Sequence, residues 1–243
     1  DTYFNEINQV SAGLARTCVL GTTMSGTQEI RCLGTNSPEA PSCGYDPTGA
    51  AIMDPESATG ALNVGGLQDR DLMLPSQAEQ HTCVINGNNT TSCWGYYMSG
   101  AIYSNESMWP PSGLMSNNQP DFGLSQTSVL NNPYAKQVTT GADHTCVLNA
   151  DNTVSCWGGN GAGQLGQNSM QSGYLPIGQV IKDQTLQPLD NVRSVKAGGR
   201  FSCAIRVNQS QEEVYCWGAN TNGEMGYLPF VDDEYSAVKV MLP

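Results

Sequence analysis

The sequence is poor in positive charge and has no long apolar run. Only ten of its 243 residues are Lys or Arg, against 22 Asp and Glu, which gives a formal net charge of −12. A surface that binds nucleic acid needs clustered basic residues, and no such cluster occurs, so we expect no nucleic-acid partner. The chain also lacks any run of 18 or more apolar residues, which predicts no membrane span.

Signatures of catalysis and metal binding are scarce as well. The chain has two histidines, His81 and His144, and no G-x-S-x-G, H-E-x-x-H or P-loop pattern. The glycine-rich run at 159–163 is followed by neither a helix nor a lysine, so it indicates a turn. No C-x-x-C pair suggests a zinc site. We therefore predict no catalytic residue, no metal ligand and no cofactor, and a protein that is not an enzyme.

Glycine and cysteine are abundant, with 27 and nine residues respectively. The stretch 141–166 reads GADHTCVLNADNTVSCWGGNGAGQLG and places Cys146 and Cys156 on either side of a polar turn at 149–153. Strand-like residues flank that turn. A chain folded back about Asp151 brings the two cysteines opposite each other, at a separation that a disulfide can bridge.

The same unit occurs four times along the chain. Its first cysteine falls at 18, 83, 146 and 203, so the repeats of about 60 residues cover 4–70, 71–133, 134–190 and 191–243 of a single domain 1–243. Each repeat shows several short strands and almost no helical periodicity, which predicts an all-β propeller with about four strands per blade. One blade cannot bury both of its faces, so its neighbours must supply the core.

The repeats also predict how the cysteines pair. The expected disulfides are Cys18–Cys32, Cys83–Cys93, Cys146–Cys156 and Cys203–Cys216. Cys43 is left over, either as a free thiol or as an intermolecular disulfide. Four bridges indicate an oxidising compartment and hence a secreted or extracellular protein. In that setting the N-x-S/T acceptors are candidate glycosylation sites, namely Asn88, Asn89, Asn105 and Asn208.

Three further features of the sequence bear on function. The histidines stand two residues before a first cysteine, where the other repeats have Arg16 and Phe201, so we interpret them as structural groups near the core. The acidic runs 212–213 and 232–234 are expected in turns, as solvated charge or as calcium ligands. An aromatic loop in the second repeat is a candidate interaction surface, with packing between blades as the alternative; it contains Tyr96, Tyr97, Tyr103 and Trp109.

The run V-x-x-G-x-x-H-T-C-V-L…V-x-C-W-G-x-N-x-x-G-Q-L-G resembles the repeat of the regulator-of-chromosome-condensation (RCC1) family. The best match is 138–166, followed by 195–226, whereas the first two repeats match mainly at the hairpin and the following glycines. Leu33 replaces the usual tryptophan, and 75–78 departs from the opening V-x-x-G. The resemblance implies one four-stranded blade per repeat. Family propellers usually have seven blades, so four RCC1-like blades imply a small closed ring, an arc, a piece of a longer chain, or a protomer completed by another chain.

The paired cysteines resemble the secreted and cell-surface branch of that family, whose members are binding proteins. We therefore expect a secreted or cell-surface scaffold without enzymatic activity, which binds a protein partner or copies of itself. The last residues, 241–243, resemble 73–75, which precede a hairpin unit, so the two chain ends could meet in a ring or join one molecule to the next. The alternatives are a lectin that binds glycans and a propeller enzyme of the lyase or glycosidase type.

Overall fold

The computed structural model describes residues 4–13, 16–26, 28–34, 73–77, 81–85, 91–95, 135–169, 175–179, 181–182, 185, 187–226 and 233–240. This part of the chain contains sixteen β-strands arranged in four sheets. Its residues include no helix long and apolar enough to cross a bilayer. The all-β prediction is confirmed.

The first two sheets are antiparallel and each shows three strands within the described residues. The first sheet consists of β1 (Phe4–Ala12), β2 (Arg16–Thr23) and β3 (Gln28–Gly34), in that order. The second sheet consists of β4 (Met73–Gln77), β5 (His81–Ile85) and β6 (Thr91–Gly95). Strands that follow each other in sequence are therefore neighbours in space, as in a simple meander.

The third and fourth sheets extend the same meander by a fourth strand. The third sheet consists of β7 (Ala135–Thr140), β8 (His144–Asn149), β9 (Val154–Gly158) and β10 (Leu175–Gln179). The short strands β11 (Ile181–Lys182) and β12 (Gln187–Pro188) form a hairpin that joins the edge of the fourth sheet. That sheet is otherwise built from β13 (Val192–Ala197), β14 (Phe201–Asn208), β15 (Gln211–Gly218) and β16 (Glu234–Lys239).

The four hairpins share one register, which allows residues to be compared between sheets. In each sheet the first and second cysteines of the repeat are directly opposed: Cys18 and Cys32, Cys83 and Cys93, Cys146 and Cys156, Cys203 and Cys216. The first strand carries an irregularity at the same place in three sheets, after Ile7, after Ala135 and after Val192. Accordingly, Ile7, Ala135 and Val192 are equivalent, and so are Val10, Val138 and Val195.

The hairpin turns follow local side-chain chemistry. In the third sheet, Asp151 accepts hydrogen bonds from the Thr153 amide (3.0 Å) and hydroxyl (2.6 Å), and these bonds lower the pKa of Asp151. In the fourth sheet a two-residue turn, Gln209 and Ser210, has φ of 46° and 71°, as a type I′ turn requires.

The longer fourth hairpin corrects one expectation. Glu212 and Glu213 were expected in a turn, but they lie in β15, opposite Val207 and Arg206. The extra residues between Cys203 and Cys216 lengthen both strands, because the turn itself needs only two residues. Glu234 likewise is the first residue of β16.

The core lies between successive sheets. Cys18, Leu20 and Ile30 of the first sheet pack with Val84 of the second. The second sheet packs on the third through Cys83, Ile85, Cys93, Val138 and Val147. The third packs on the fourth through a larger set that includes Cys146, Leu148, Val154, Val192, Val195 and Ala204. Every described sheet-to-sheet junction therefore joins one repeat to the next along the chain.

Gly163 allows the loop after β9 to lie against the fourth sheet, because its φ is +79° and a Cβ there would lie 2.8 Å from the Glu234 carbonyl oxygen. We expect Gly163→Ala to lower the free energy of unfolding by about 1–2 kcal/mol through the left-handed backbone and by about 1–3 kcal/mol more through the overlap. Urea unfolding measures this. Gly26→Ala is the matched control, since Gly26 has φ of +81° and open space around it. An equal loss in the two variants would contradict the close approach.

Candidate functional site

Each sheet presents two faces, because successive strand residues point to opposite sides. In a sheet between two others, we call the side toward the preceding sheet the N-side face and the side toward the following sheet the C-side face. Equivalent residues define the same two faces on the first and fourth sheets. On β8, Val147 is on the N-side face and packs with the second sheet, whereas Cys146 and Leu148 are on the C-side face and pack with the fourth. The same alternation places Thr145 on the N-side face and His144 on the C-side face.

A buried hydrogen bond between a histidine and a hydroxyl joins successive sheets. His81 Nε2 lies 2.8 Å from Thr145 Oγ1, and His144 Nε2 lies 2.8 Å from Ser202 Oγ. All four side chains are fully buried. In both cases the histidine belongs to the C-side face and the hydroxyl to the N-side face of the next sheet. The two histidines thus hold equivalent positions and make equivalent contacts.

The junction between the third and fourth sheets has further polar contacts. Gln137 Oε1 accepts a hydrogen bond from the Val195 amide (3.0 Å), and Thr139 Oγ1 accepts one from the Ala197 amide (2.9 Å). Trp217 Nε1 donates to the carbonyl oxygen of Gln164 (2.9 Å). Backbone groups that a strand edge would leave unpaired are therefore satisfied by the neighbouring sheet.

Three disulfides lie within the described residues. They are Cys83–Cys93, Cys146–Cys156 and Cys203–Cys216, with Cα–Cα distances of 4.1, 4.1 and 4.0 Å. Cys146 Sγ lies 3.6 Å from Ser202 Oγ, so this bridge also touches the next sheet. In the first sheet the backbone register sets Cys18 opposite Cys32. The side chain of Cys32 and all of Cys43 lie outside the described residues.

Asp143 is the carboxylate nearest to a buried histidine, and the sequence interpretation missed it. Its Oδ1 accepts a hydrogen bond from Gln164 Nε2 (2.8 Å) and lies 3.8 Å from His144 Nδ1. Burial opposes the charged form, but the contacts with His144 and Gln164 outweigh it and lower the pKa of Asp143. The carboxylate therefore fastens the loop after β9 to the third sheet. In the sequence, this contact was signalled only by Gln164, the glutamine of the G-Q-L-G motif.

Three acids in or beside the fourth sheet form ion pairs, namely Asp190, Glu212 and Glu213. Arg193 contacts Glu212 at 3.2 Å, and Arg206 contacts Asp190 at 2.6 Å. A hydrogen bond from Lys239 lowers the pKa of Glu213. Within the described residues no group of three or more His, Cys, Asp or Glu side chains is placed to hold a metal ion.

The other predicted site residues are only partly described. Asn208 is exposed at the end of β14, directly before the two-residue turn. Asn88, Asn89 and Asn105 lie outside the described residues. The same holds for the aromatic loop with Tyr96, Tyr97, Tyr103 and Trp109. The glycosylation sites and the aromatic interaction surface therefore stay predictions.

Of the two terminal faces, the first sheet's N-side face is exposed, and the fourth sheet's C-side face is partly covered by Met225 and Val240 of the same chain. On the first sheet's N-side face, Ile7 is 62% and Val10 is 58% exposed. Their equivalents Ala135, Val138, Val192 and Val195 are exposed by 8%, 1%, 2% and 0%. On the fourth sheet's C-side face, Phe201, Cys203 and Ile205 are half-buried, whereas their equivalents His144, Cys146 and Leu148 are buried. These two apolar faces are the candidate functional site.

Consecutive antiparallel sheets that bury their faces against each other in chain order define a repeat protein of the β-propeller class. The family description "Regulator of chromosome condensation (RCC1) repeat" matches residues 135–164, 192–224 and 151–205. Residues 135–224 therefore carry RCC1 repeats. The expectation from the sequence resemblance is confirmed.

Known relatives agree with this family. The chain is 26% identical over 181 residues to the ultraviolet-B receptor UVR8 of Arabidopsis thaliana, a match that covers 71% of the chain and 38% of the receptor. It is 30% identical over 93 residues to human RCC1 domain-containing protein 1, covering 37% of the chain and 22% of that protein. The matches thus span less than half the length of either relative.

Solved structures show the same fold. A chain in the crystal structure of Kap60 bound to yeast RCC1 (Prp20) superposes with a TM-score of 0.69 at 15% identity, over 100% of this chain and 50% of that chain. Human WBSCR16 superposes with a TM-score of 0.57 at 15% identity, over 98% of this chain and 67% of that chain. At this identity the likeness shows the fold alone.

The His144–Ser202 pair provides a test of the junction. We expect His144→Phe and Ser202→Ala each to lower the free energy of unfolding by about 1–3 kcal/mol, because each leaves a buried polar group unpaired. The double variant should lose less than the sum by about 0.5–3 kcal/mol, since the two changes remove one bond. Denaturant unfolding of the four proteins measures the coupling. Thr22→Val, in the first sheet, should be additive with Ser202→Ala; additivity of His144→Phe with Ser202→Ala would contradict the contact.

Proposed function

We propose that the chain is a secreted scaffold without enzymatic activity, which binds other proteins through the uncovered faces at the two ends of an arc of four RCC1-like blades. The arc is a single domain, 1–243, whose repeats cover 4–70, 71–133, 134–190 and 191–243. The observation that carries this proposal is the exposure of Ile7 and Val10, at positions that are buried in the third and fourth sheets.

The chemistry of the uncovered faces favours a protein partner. Ile7 and Val10 present exposed aliphatic side chains on one sheet face, at positions that are buried in the third and fourth sheets, which favours an apolar partner there. An apolar sheet face of a partner buries it, whereas a sugar or a nucleic acid has no comparable surface. In the solved relatives, yeast RCC1 is bound to Kap60, and a second study of Prp20p concerns its binding to Gsp1p and histones. Protein binding by those relatives supports the same role here.

In the part of the chain that the structure describes, the histidines and two of the carboxylates have structural contacts. Both histidines are fully buried and hydrogen-bonded to the next sheet. Asp143 is held by Gln164, and Glu213 is paired with Lys239. A general base must reach a substrate atom, and a fully buried imidazole that bridges two sheets cannot do so without opening the junction. This supports a scaffold role.

The disulfides support an extracellular location. Three cross-strand bridges lie in three successive sheets, and structural bridges of this kind persist in oxidising compartments. Asn208 is an exposed N-x-S acceptor next to a turn, so a glycan there would extend into solvent. We propose that Cys18 and Cys32 form the fourth bridge and that Cys43 is the remaining thiol.

Alkylation tests the pairing scheme. Denatured, unreduced protein treated with iodoacetamide should carry no more than one label, at Cys43, and reduced protein should carry nine, one for each cysteine. Intact mass and peptide mapping measure the labels. Labelling after denaturation but before reduction counts only the free thiols, because cysteines in a closed disulfide do not react with iodoacetamide. Two or more labels in the unreduced protein would contradict four bridges.

Hydroxyl-radical footprinting tests the binding role. We compare the isolated monomer with the protein in the assembly purified from its natural source. Oxidation at Ile7, Val10, Phe201 and Ile205 should fall several-fold in the assembly, because a partner excludes water from the terminal faces. Met24 is the internal control, since it is 84% exposed at a hairpin tip and should be oxidised equally in both samples. Unchanged oxidation at all four positions would refute binding through the terminal faces.

A further inference from the structure

We infer that the partner for these faces is a second copy of the chain, and that copies join head to tail. The C-side face of the fourth sheet in one molecule, formed by Phe201, Cys203 and Ile205, packs on the N-side face of the first sheet in the next. That second face is formed by Ile7, Val10, Thr17 and Val19. This inference rests on the proposed function and names the partner for the same site.

The N-side face of the first sheet has the chemistry of an interior junction. Val10 is opposite Val19 on β2, as Val138 is opposite Val147 on β8. Val138 and Val147 are buried against Cys83 and Ile85 of the second sheet. Val10 and Val19 therefore form a surface shaped to receive a cysteine and an aliphatic residue from a preceding sheet.

The C-side face of the fourth sheet offers that cysteine and aliphatic residue. On β14 the buried Ser202 and Ala204 face the third sheet, and the half-buried Phe201, Cys203 and Ile205 alternate with them. Cys203 and Ile205 stand in register with Cys83 and Ile85 of the second sheet. Each half of an interior junction is thus present at an opposite end of the chain, one half exposed and the other half-buried beside Met225 and Val240.

Repetition within the chain argues for a second copy as the occupant. Faces of these two types already meet three times, between the first and second, second and third, and third and fourth sheets. Ile7 and Val10 are exposed, so the described residues do not make this contact a fourth time. Because the fold superposes on half of a solved RCC1 chain, one copy leaves room for further blades. A contact between unlike faces closes a ring or builds a filament, according to the rotation between copies.

The terminal junction differs at one position from the second and third interior junctions. Those two pair a histidine with Thr145 or with Ser202, whereas the first interior junction has Arg16 at the histidine position. At the ends, Phe201 takes the histidine position, and Thr17 takes the hydroxyl position. A phenyl ring makes no hydrogen bond to a hydroxyl, so the contact between copies depends on apolar burial and shape. This difference distinguishes the intermolecular junction from the two junctions that contain a histidine, and no histidine is left unpaired on the free monomer.

The experiment uses one variant on each face. Val10→Glu places a charge on the N-side face, and Ile205→Glu places one on the C-side face, with Phe201→Lys as a second C-side variant. Met24→Glu is the matched control, because Met24 is exposed and lies at the tip of the β2–β3 hairpin, outside both faces. Circular dichroism and thermal melting confirm that each variant is folded. Sedimentation velocity at about 150 mM salt, where charge repulsion between the acidic copies is screened, reports the mass.

Head-to-tail contact predicts a specific pattern of masses. Wild type and Met24→Glu sediment as species heavier than 25.9 kDa, whereas Val10→Glu alone and Ile205→Glu alone are monomers. An equimolar mixture of the two variants restores one intact junction and gives a dimer that grows no further. A dimer of Ile205→Glu alone would mean that like faces meet, and it would overturn the inference. So would monomeric wild type up to about 100 µM, the range in which a weak specific junction is populated.

The same data separate this inference from the proposed function. Monomeric wild type together with footprint protection in the native assembly would leave the terminal faces as a protein-binding site for a different chain. Suppose instead that the purified protein associates head to tail, but the terminal-face residues of the native assembly are oxidised as strongly as in the monomer. The contact would then form only between purified copies, and the inference would fail as a description of the natural partner.

Discussion

The structure depends on one constraint: a single antiparallel sheet has two apolar faces and cannot cover either of them by itself. Each sheet of this chain resolves the constraint through its neighbours. The N-side face receives a cysteine and an aliphatic residue from the sheet before, and the C-side face supplies the same pair to the sheet after. Burial of Val138 and Val195 is the direct result. Within the described residues, Ile7 and Val10 on the first sheet's N-side face have no such cover, and the proposed binding function starts from that exposure.

The disulfides and the histidine–hydroxyl bonds act on the same junctions at two levels. Within a sheet, a bridge such as Cys146–Cys156 holds β8 and β9 in register, which fixes the side on which each residue points. Between sheets, His144 reaches Ser202 next to that bridge. A slip of one residue in the hairpin would turn the histidine away from its hydroxyl. The covalent bond therefore keeps the non-covalent junction in place.

The sequence predicted the register of the hairpins correctly, because its determinants are local. The spacing of Cys146 and Cys156 around a polar turn determines which residues are opposed. The turn position of Glu212 and Glu213 was wrong, because nothing in the spacing of Cys203 and Cys216 tells whether extra residues lengthen a loop or two strands. The sequence also could not predict the hydrogen-bond partners of the histidines, because Thr145 lies 64 residues from His81 along the chain.

The uncovered faces show the same limit most clearly. Val10, Val138 and Val195 sit in the same sequence pattern, yet one is exposed and two are buried, because Val138 and Val195 pack against another described sheet and Val10 does not. Local pattern identifies a face that needs covering, and only the assembled fold shows which face is left open. The function proposed here therefore rests on the comparison of equivalent positions and not on any residue type.

A cross-link between the two terminal faces tests this account most directly. In a Cys43→Ser background, Val10→Cys and Ile205→Cys are introduced into separate molecules, mixed, and oxidised, with Met24→Cys in place of Val10→Cys as the comparison. The account predicts a disulfide-linked dimer between positions 10 and 205, seen by non-reducing electrophoresis and peptide mass, and none between 24 and 205. Equal cross-linking at 24 and 10, or none at either, would contradict the pairing of the faces.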